Sequence, residues 1–387
     1  MKVTFITREY PPNVYGGAGV HIRELARCLS ELMEVEVRCF GDQNESNGIR
    51  VKGYEIDPRP HCPAQPKFDA LFNTLYTNLA MLTDGITGDV IHTHTWYAHL
   101  AGFLGKKLYN MPHVATSHSL EPLRPWKVEQ LAEAYHVSAW MEKVGLENAD
   151  RVVAVSKMMK EDIVANFDVD PEKVTVIHNG IDLNKYRRRP LSPEVRAHYG
   201  IEEDYVLFVG RPTAQKGMEY LIDAADDIPV QVVIEAVGAD TKEYEDRMAA
   251  KVEGKKNILW IHENLGDEIN AGLYSSAKVF ICPSVYEPFG IINLEAMACE
   301  TPVVASAVGG IMEVVVPGET GFLVEPAAAG QIAEKVNELL SRPDLALKMG
   351  RNGRKRVEDY FSWESIARKT KAMYEELLHE KAPVPAP

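Results

Sequence analysis

Cysteine is scarce in this chain of 387 residues: there are five, at 28, 39, 62, 282 and 299, widely spaced and without a Cys-x-x-Cys. Neither a disulfide framework nor a zinc knuckle is signalled, and a reducing cytoplasmic compartment fits. Positive charge is also short. With 42 Lys and Arg against 56 Asp and Glu, the formal net charge is −14, so a nucleic-acid partner would need a local basic face. Only Arg187-Arg188-Arg189 forms such a cluster, which is weak support. Long apolar runs are missing too. The longest stretch free of Asp, Glu, Lys and Arg, Val90 to Gly105, contains His, Thr and Gly and falls short of the roughly 18 apolar residues of a membrane span. The opening Met1 to Glu9 turns charged after one short apolar run, which reads as a first strand and not as a signal peptide. No nucleic acid and no membrane is expected as a partner.

What is present suits a large α/β protein. Apolar residues make up 45%, enough for sizeable cores, and at about 150 residues per domain the length suggests two or three domains. Short apolar runs at Val3 to Thr7, Val35 to Phe40, Val90 to His94, Val114 to Ser117, Arg151 to Val155 and Val174 to His178 alternate with helical patterns. The first of these helices, Val20 to Met33, gathers Ile22, Leu25, Ala26, Leu29, Leu32 and Met33 on one face. Such alternation predicts a doubly wound parallel sheet. The segment Asp182 to Glu203 then turns polar and loses its apolar period, which predicts a linker at 184–203. A second alternation follows, with strands at Tyr205 to Gly210, Val230 to Ile234, Ile258 to Ile261, Val279 to Ile281 and Pro302 to Ala305. The fold class expected is α/β, with two Rossmann-like doubly wound parallel-sheet domains at 1–183 and 204–361. A terminal helix at 362–380 is expected to pack back on the first domain, and a tail at 381–387 to stay unpacked.

Two stretches carry chemistry. After the first strand, Tyr10-Pro11-Pro12-Asn13-Val14-Tyr15-Gly16-Gly17-Ala18-Gly19 leads into a helix. Glycines let backbone amides approach an anion, and a helix N-terminus adds about half a positive charge; the alternative is a plain strand-to-helix turn. A dinucleotide fingerprint would need glycine at 22, where Ile22 stands, and an acid after the second strand, where Phe40-Gly41 stands. A dehydrogenase is therefore disfavoured. The sharper stretch is Ser284 to Ala298, in which Glu287 and Glu295 frame Gly290. One loop can present a carboxylate, the amides around Gly290 and Ile291, and a second carboxylate to a single ligand, which suits a sugar joined to a nucleotide.

With these residues in view the sequence resembles the retaining glycosyltransferases of the two-domain GT-B fold that include bacterial glycogen synthases, and it looks similar to their short actinobacterial-type members. The resemblance spans nearly the whole chain, through Arg8-Glu9-Tyr10-Pro11-Pro12, Gly16-Gly17-Ala18-Gly19-Val20-His21, Ser117 to Lys127, His178-Asn179-Gly180-Ile181-Asp182, Gly210-Arg211 to Lys216-Gly217, and the paired glutamates. It implies a cleft between the two domains and glucosyl transfer from a nucleotide-glucose, with ADP-glucose favoured, to an α-glucan or to glucose 1-phosphate. Arg211 and Lys216 would hold the donor diphosphate with Gly16 and Gly17. Glu287 would face the donor sugar, Gly290, Ile291 and Glu295 would bind the nucleotide side, and His118 would lie by the transferred glucose. Glu9, Arg124 and Lys127 would serve the acceptor. No cofactor is implied, because the nucleotide sugar is a substrate, and homo-oligomerisation is left open. The chain departs from longer synthases at Val14-Tyr15, where those carry Lys-Thr, and at His94-Thr95-Trp96, where they carry His-Asp-Trp. A GT-B sugar-nucleotide epimerase, a sugar-nucleotide-binding protein without turnover and a transferase with another acceptor are the competing readings.

Metal signals are poor. His92, His94 and His99 could seat an ion but have no Asp or Glu beside them, and Asp168-Val169-Asp170 followed by Pro171 reads as a turn. No metal is expected. Ser156 reads as a helix N-cap.

Overall fold

The computed structural model describes residues 1–14, 16–44, 48–63, 65–125, 127–128 and 133–381. The chain divides into two compact units, Met1–Asn179 with Trp363–Pro387, and Gly180–Ser362. In the first, the described residues form a seven-stranded sheet in the order β3-β2-β1-β4-β5-β6-β7, with β1 Lys2–Thr7, β2 Glu34–Phe40, β3 Arg50–Tyr54, β4 Val90–His94, β5 His113–Ser117, β6 Arg151–Ala154 and β7 Val174–Val176. Every pairing is parallel, with Val3 opposite Val35 on one side and Val90 on the other. Helices cover the sheet, so β1 and β4 are buried almost throughout; β4, Val90-Ile91-His92-Thr93-His94, buries polar side chains that are hydrogen-bonded inside.

The second unit repeats the plan with six strands in the order β10-β9-β8-β11-β12-β13. They are β8 Tyr205–Gly210, β9 Gln231–Ala236, β10 Ile258–Ile261, β11 Val279–Cys282, β12 Val303–Ser306 and β13 Gly321–Val324. The expected α/β class with two doubly wound parallel sheets is what the chain adopts. Two edge strands lack the long apolar run that announces the others. β3 exposes Arg50 and Lys52 while burying Val51 and Tyr54, and β13 opens on Gly321, where a Cβ would stand 2.2 Å from the Val303 carbonyl oxygen.

The segment 184–203 is not a linker. It belongs to the second unit and holds the helix Pro193–Tyr199, N-capped by Ser192. Tyr186 and Leu191 are buried, and the amides of Arg189 and Leu191 donate to Ser275 Oγ and Ser276 Oγ at 3.1 and 3.0 Å. Its few apolar residues are anchors spaced too far apart to make a period. Arg188 and Arg189 of the basic cluster pair with Glu300 and Glu268.

The helix Trp363–Lys381 completes the core of the first unit. Its Trp363, Ile366, Ala367, Met373, Tyr374 and Leu377 join Val3, Phe5, Ile22, Leu25 and Leu29 in one buried cluster, against the helix Gly17–Ser30. Among the described residues, no helix is long and apolar enough to cross a membrane. Trp363 is 2% exposed, and truncating a buried aromatic costs about 3–5 kcal/mol. Trp363→Ala should therefore lower amide-exchange protection of β1 and of the helix Gly17–Ser30 while leaving β8 and β11 protected. Equal loss in both units would contradict the assignment of this helix to the first core.

Candidate active site

In the second sheet the strand order reverses between β8 and β11, and open α/β sheets bind ligands outside the carboxyl ends of the strands at such a point. The loops leaving these two strands are tied together: the Val285 amide donates to the Gln215 carbonyl at 2.9 Å. Thr213 caps the short turn Ala214–Lys216 by accepting from the Lys216 amide. Gly217 ends that turn with φ at +64°, and a Cβ there would stand 2.0 Å from the Pro283 carbonyl oxygen. Only glycine fits both the left-handed backbone and the contact.

Lys216 and Glu287, separated by 71 residues in sequence, meet at 2.5 Å, Nζ to Oε2, and Ser284 Oγ donates to the same carboxylate oxygen at 3.2 Å. Burial pulls the Lys216 pKa down, but the Glu287 charge outweighs it and the net shift is upward. The ammonium stays charged, and a buried carboxylate with two donors avoids the penalty of an unpaired charge. Arg211, at the end of β8, is held at the mouth of the β9 loop, with Nε donating to the Gly238 carbonyl at 3.0 Å and Nη2 to Asp240 Oδ1 at 2.8 Å. Gly290 has φ at +91° and precedes the helix Ile291–Ala298, whose first amides have no intrahelical acceptors. Glu295 lies in that helix and accepts from the Tyr274 hydroxyl at 2.8 Å. Tyr186, whose hydroxyl donates to Asp267 at 3.0 Å, reaches Glu295 as well. Burial outweighs the pull of the two hydroxyls and raises the Glu295 pKa to about 7. Arg211, Lys216, Glu287, Gly290, Ile291 and Glu295 thus all stand on the loops and helix at one edge of this sheet. Ser284, from the singled-out stretch, bonds Glu287 three residues on; Tyr186 and Tyr274 complete the set, and nothing near them in sequence marks them, because their partner Glu295 is 109 and 21 positions away.

The first unit has its own reversal, between β1 and β4. Here the chain collects imidazoles. His94, at the end of β4, faces His118, just past β5, with Nδ1 and Nε2 3.1 Å apart, and His21 packs on His118 at 4.8 Å between ring centroids. Asn179 fixes the His21 ring through Nδ1 at 2.5 Å. Burial holds all three pKa values below the usual histidine range, that of His21 at about 4. His92, expected beside His94, does stack on it at 4.4 Å; its nitrogens, however, are bonded to Tyr374 and Thr116, and His99 bonds Thr93.

Ring nitrogens of His21, His94 and His118 lie within 4.8 Å of one another, a spacing that could hold an ion. The trio fits a metal poorly. Ligation through His94 Nδ1 would put the proton on Nε2, a buried atom with no hydrogen-bond partner among the described residues.

The glycine turn is braced from within. The Gly16 amide donates to Glu9 Oε2 at 3.1 Å, and a Cβ on Gly19 would come within 2.6 Å of the same oxygen. Glu9 therefore supports the turn, while Gly17 opens the helix three residues before the apolar period begins. Arg124 is also engaged, with Nη1 3.1 Å from Ser119 Oγ and 3.5 Å from Glu121 Oε1. Glu121 and Glu142 are both buried, and burial together with Glu121 raises the Glu142 pKa well above the carboxylate range. The Lys127 amide donates to the Arg124 carbonyl at 2.9 Å, and Trp126 lies outside the described residues. Asp170 caps the short turn Pro171–Lys173, and Ser156 caps the helix Lys157–Asn166, both as expected.

Gly217→Ala forces a strained φ and a clash with backbone together. It should weaken nucleoside-diphosphate binding at least about tenfold, roughly 1.4 kcal/mol, as read by calorimetry on folded protein. Unchanged affinity would mean that the β8 turn does not shape the anion site.

The chain matches the family described as Glycosyl transferases group 1 over residues 192–356 and Glycosyltransferase Family 4 over residues 15–185. It is 42% identical to α-maltose-1-phosphate synthase of Mycolicibacterium smegmatis, across 97% of this chain and 99% of that protein. With the glycogen synthase of Mycobacterium tuberculosis it shares 27% identity, across 97% and 94%. Among solved structures, sucrose-phosphate synthase from Thermosynechococcus elongatus superposes with a TM-score of 0.82 at 28% identity, covering 98% of this chain and 100% of that one. Two doubly wound sheets, a lysine–glutamate pair at the reversal of the second, and these matches along nearly the full length agree: the chain is an enzyme of the group 1 glycosyltransferases with the GT-B fold.

Proposed function

We propose that this enzyme moves glucose, with retention of anomeric configuration, from a nucleotide-glucose donor, ADP-glucose favoured, to the 4-hydroxyl of an α-glucan or of glucose 1-phosphate. The Lys216–Glu287 pair beside Arg211 carries the reading. As the bond between the glucose C1 and the diphosphate oxygen breaks, negative charge grows on the leaving phosphate, and preorganised cations stabilise that charge more than water does. The acceptor hydroxyl then attacks C1 on the face the phosphate leaves, and its proton passes to the departing phosphate oxygen. Retaining hydrolases instead place a carboxylate nucleophile beside the sugar; Glu287 has its charge matched by Lys216, which suits it to orientation. His118, kept neutral by its burial, can hydrogen-bond a sugar hydroxyl without charging. Glu295 would accept from the ribose hydroxyls, and no metal is required. The phosphorylated acceptor is favoured over glucan by the 42% identity to a maltose-1-phosphate synthase against 27% to a glycogen synthase.

Purified enzyme incubated with ADP-glucose or UDP-glucose and with glucose 1-phosphate, maltose or glycogen should yield a product one hexose heavier, maltose 1-phosphate from the first acceptor. Donor conversion that needs no acceptor would instead indicate an epimerase. Replacing Lys216 by Ala should lower kcat by about 10²–10³; a change confined to KM would remove Lys216 from the leaving group.

Glu295 gives a pH signature. With its pKa near 7, the carboxyl is neutral on the acid side and loses an acceptor for the ribose, while above that pH it is ionised and accepts. Donor KM should therefore rise as pH falls through about 7, and Glu295→Gln should flatten that dependence. A wild-type KM constant between pH 6 and 8 would contradict the ribose assignment.

A further inference from the structure

We propose that a cavity of about 520 Å³ in the first unit binds the phosphate-bearing end of a hexose phosphate acceptor, with Arg8 as its principal cation. The inference rests on the reading of a phosphorylated acceptor given above, and it names a site for it other than Arg124.

Position is the first argument. The cavity is walled by residues that follow β1, β2, β3 and β4, among them Arg8, Gly41, Glu55 and Trp96. It therefore opens at the carboxyl edge of the sheet beside the reversal between β1 and β4, where this class of sheet takes ligands. Its volume lies within the range of sites for small molecules.

Charge is the second. In a chain of net charge −14, the lining holds three cations, Arg8, Arg59 and Lys67, and one carboxylate, Glu55. Arg59 is paired with Glu55 and Lys67 with Glu133. Arg8 has no carboxylate partner among the described residues. Its guanidinium instead lies 4.2 Å above the centre of the Tyr97 ring, an arrangement that fixes the plane of the fork while leaving the N–H edges for a ligand. A phosphate monoester accepts such a fork with two parallel charge-assisted bonds. Arg124, by contrast, already spends Nη1 on Ser119 and Glu121.

Shape and the uncharged polar groups supply the third. Trp96 and Tyr97 stack at 3.7 Å between ring centroids with 25° between their planes, and both line the cavity, giving it an apolar boundary beside Arg8. Asn73 also lines the cavity, and its Oδ1 is buried without a hydrogen-bond partner, an acceptor ready for a sugar hydroxyl. A buried acceptor left unpaired is costly, so a ligand hydroxyl that satisfies it is favoured. Neutral glucan offers the hydroxyl but nothing for Arg8.

Steady-state kinetics with saturating donor test this, using full-length wild type, Arg8→Gln, Arg8→Lys and Asn73→Ala. For Arg8→Gln, KM for glucose 1-phosphate should rise about 10- to 100-fold, and any rise for maltose should be at least about tenfold smaller. Arg8→Lys should recover part of the loss, and inorganic phosphate should compete with glucose 1-phosphate in the wild type but not in Arg8→Gln. Asn73→Ala should raise KM for both acceptors together. Equal loss of both acceptors in Arg8→Gln, no loss, or phosphate competition that survives the substitution would overturn the assignment while leaving the function intact. A wild type that elongates maltose but never turns over glucose 1-phosphate would instead overturn the phosphorylated-acceptor reading itself. Should Arg8→Gln not fold, the Arg8→Lys comparison and phosphate competition in the wild type decide the matter.

Discussion

The contact between Gly217 and the Pro283 carbonyl sets the geometry of the second unit's site. Two parallel strands that are neighbours in the sheet, β8 and β11, deliver their loops to the same edge, but loops with ordinary side chains would stay a residue's width apart. With no Cβ and a left-handed φ, Gly217 lets the turn lie directly against the next loop, and the bond from Val285 to Gln215 closes the gap. Lys216, the residue before, is thereby brought to Glu287. Had the turn been held away, a buried glutamate would lose its charge partner, at a cost of several kcal/mol, and a half-buried lysine would lose its own. The backbone contact thus determines whether the cation exists in charged form where an anion can meet it.

The first unit solves a different electrostatic problem. His21, His92, His94, His99 and His113 are buried, and burial holds their pKa values far on the acid side. Charged imidazoles this close would repel, so neutrality is a condition of the packing. Neutral rings can alternate donor and acceptor nitrogens: His113 and His99 both meet Thr93 Oγ1, and His94 meets His118. Such a network orients polar groups without setting up a field, which suits a surface that must handle uncharged hydroxyls.

Much of this was legible in the sequence, because the features concerned are local. A parallel strand buried on both faces is rich in apolar residues, so β1, β8 and β11 stand out. A strand followed by Gly-Arg or by a Glu-framed glycine places those side chains at the carboxyl edge by connectivity alone. What could not be read is what depends on partners remote in sequence. Glu9 offered no sign that its carboxylate would cap Gly16, whereas Glu121, three residues before Arg124, was a partner the sequence did offer. The segment 184–203 looked like a linker because three buried side chains, Tyr186, Leu191 and Ile201, and a pair of serine bonds are too sparse to leave a period. Tyr186 lies in that same stretch, so the misreading also hid a hydroxyl that reaches Glu295.

The difference between Arg8 and Lys216 follows from the same physics. Lys216 is half-buried and paired with Glu287, so on the proposed reading a donor phosphate would share it with that carboxylate. Arg8 is exposed, so solvent sustains its charge and a ring face is sufficient to position it; its donors need not be taken from a carboxylate. A paired buried cation responds to charge that develops during reaction, because its carboxylate partner already balances it in the ground state. An unpaired exposed cation contributes equally before and during reaction, and so selects which substrate binds. On the proposed reading Lys216 would bear on rate and Arg8 on acceptor choice, a division set by burial and pairing and not by the identity of the charged group.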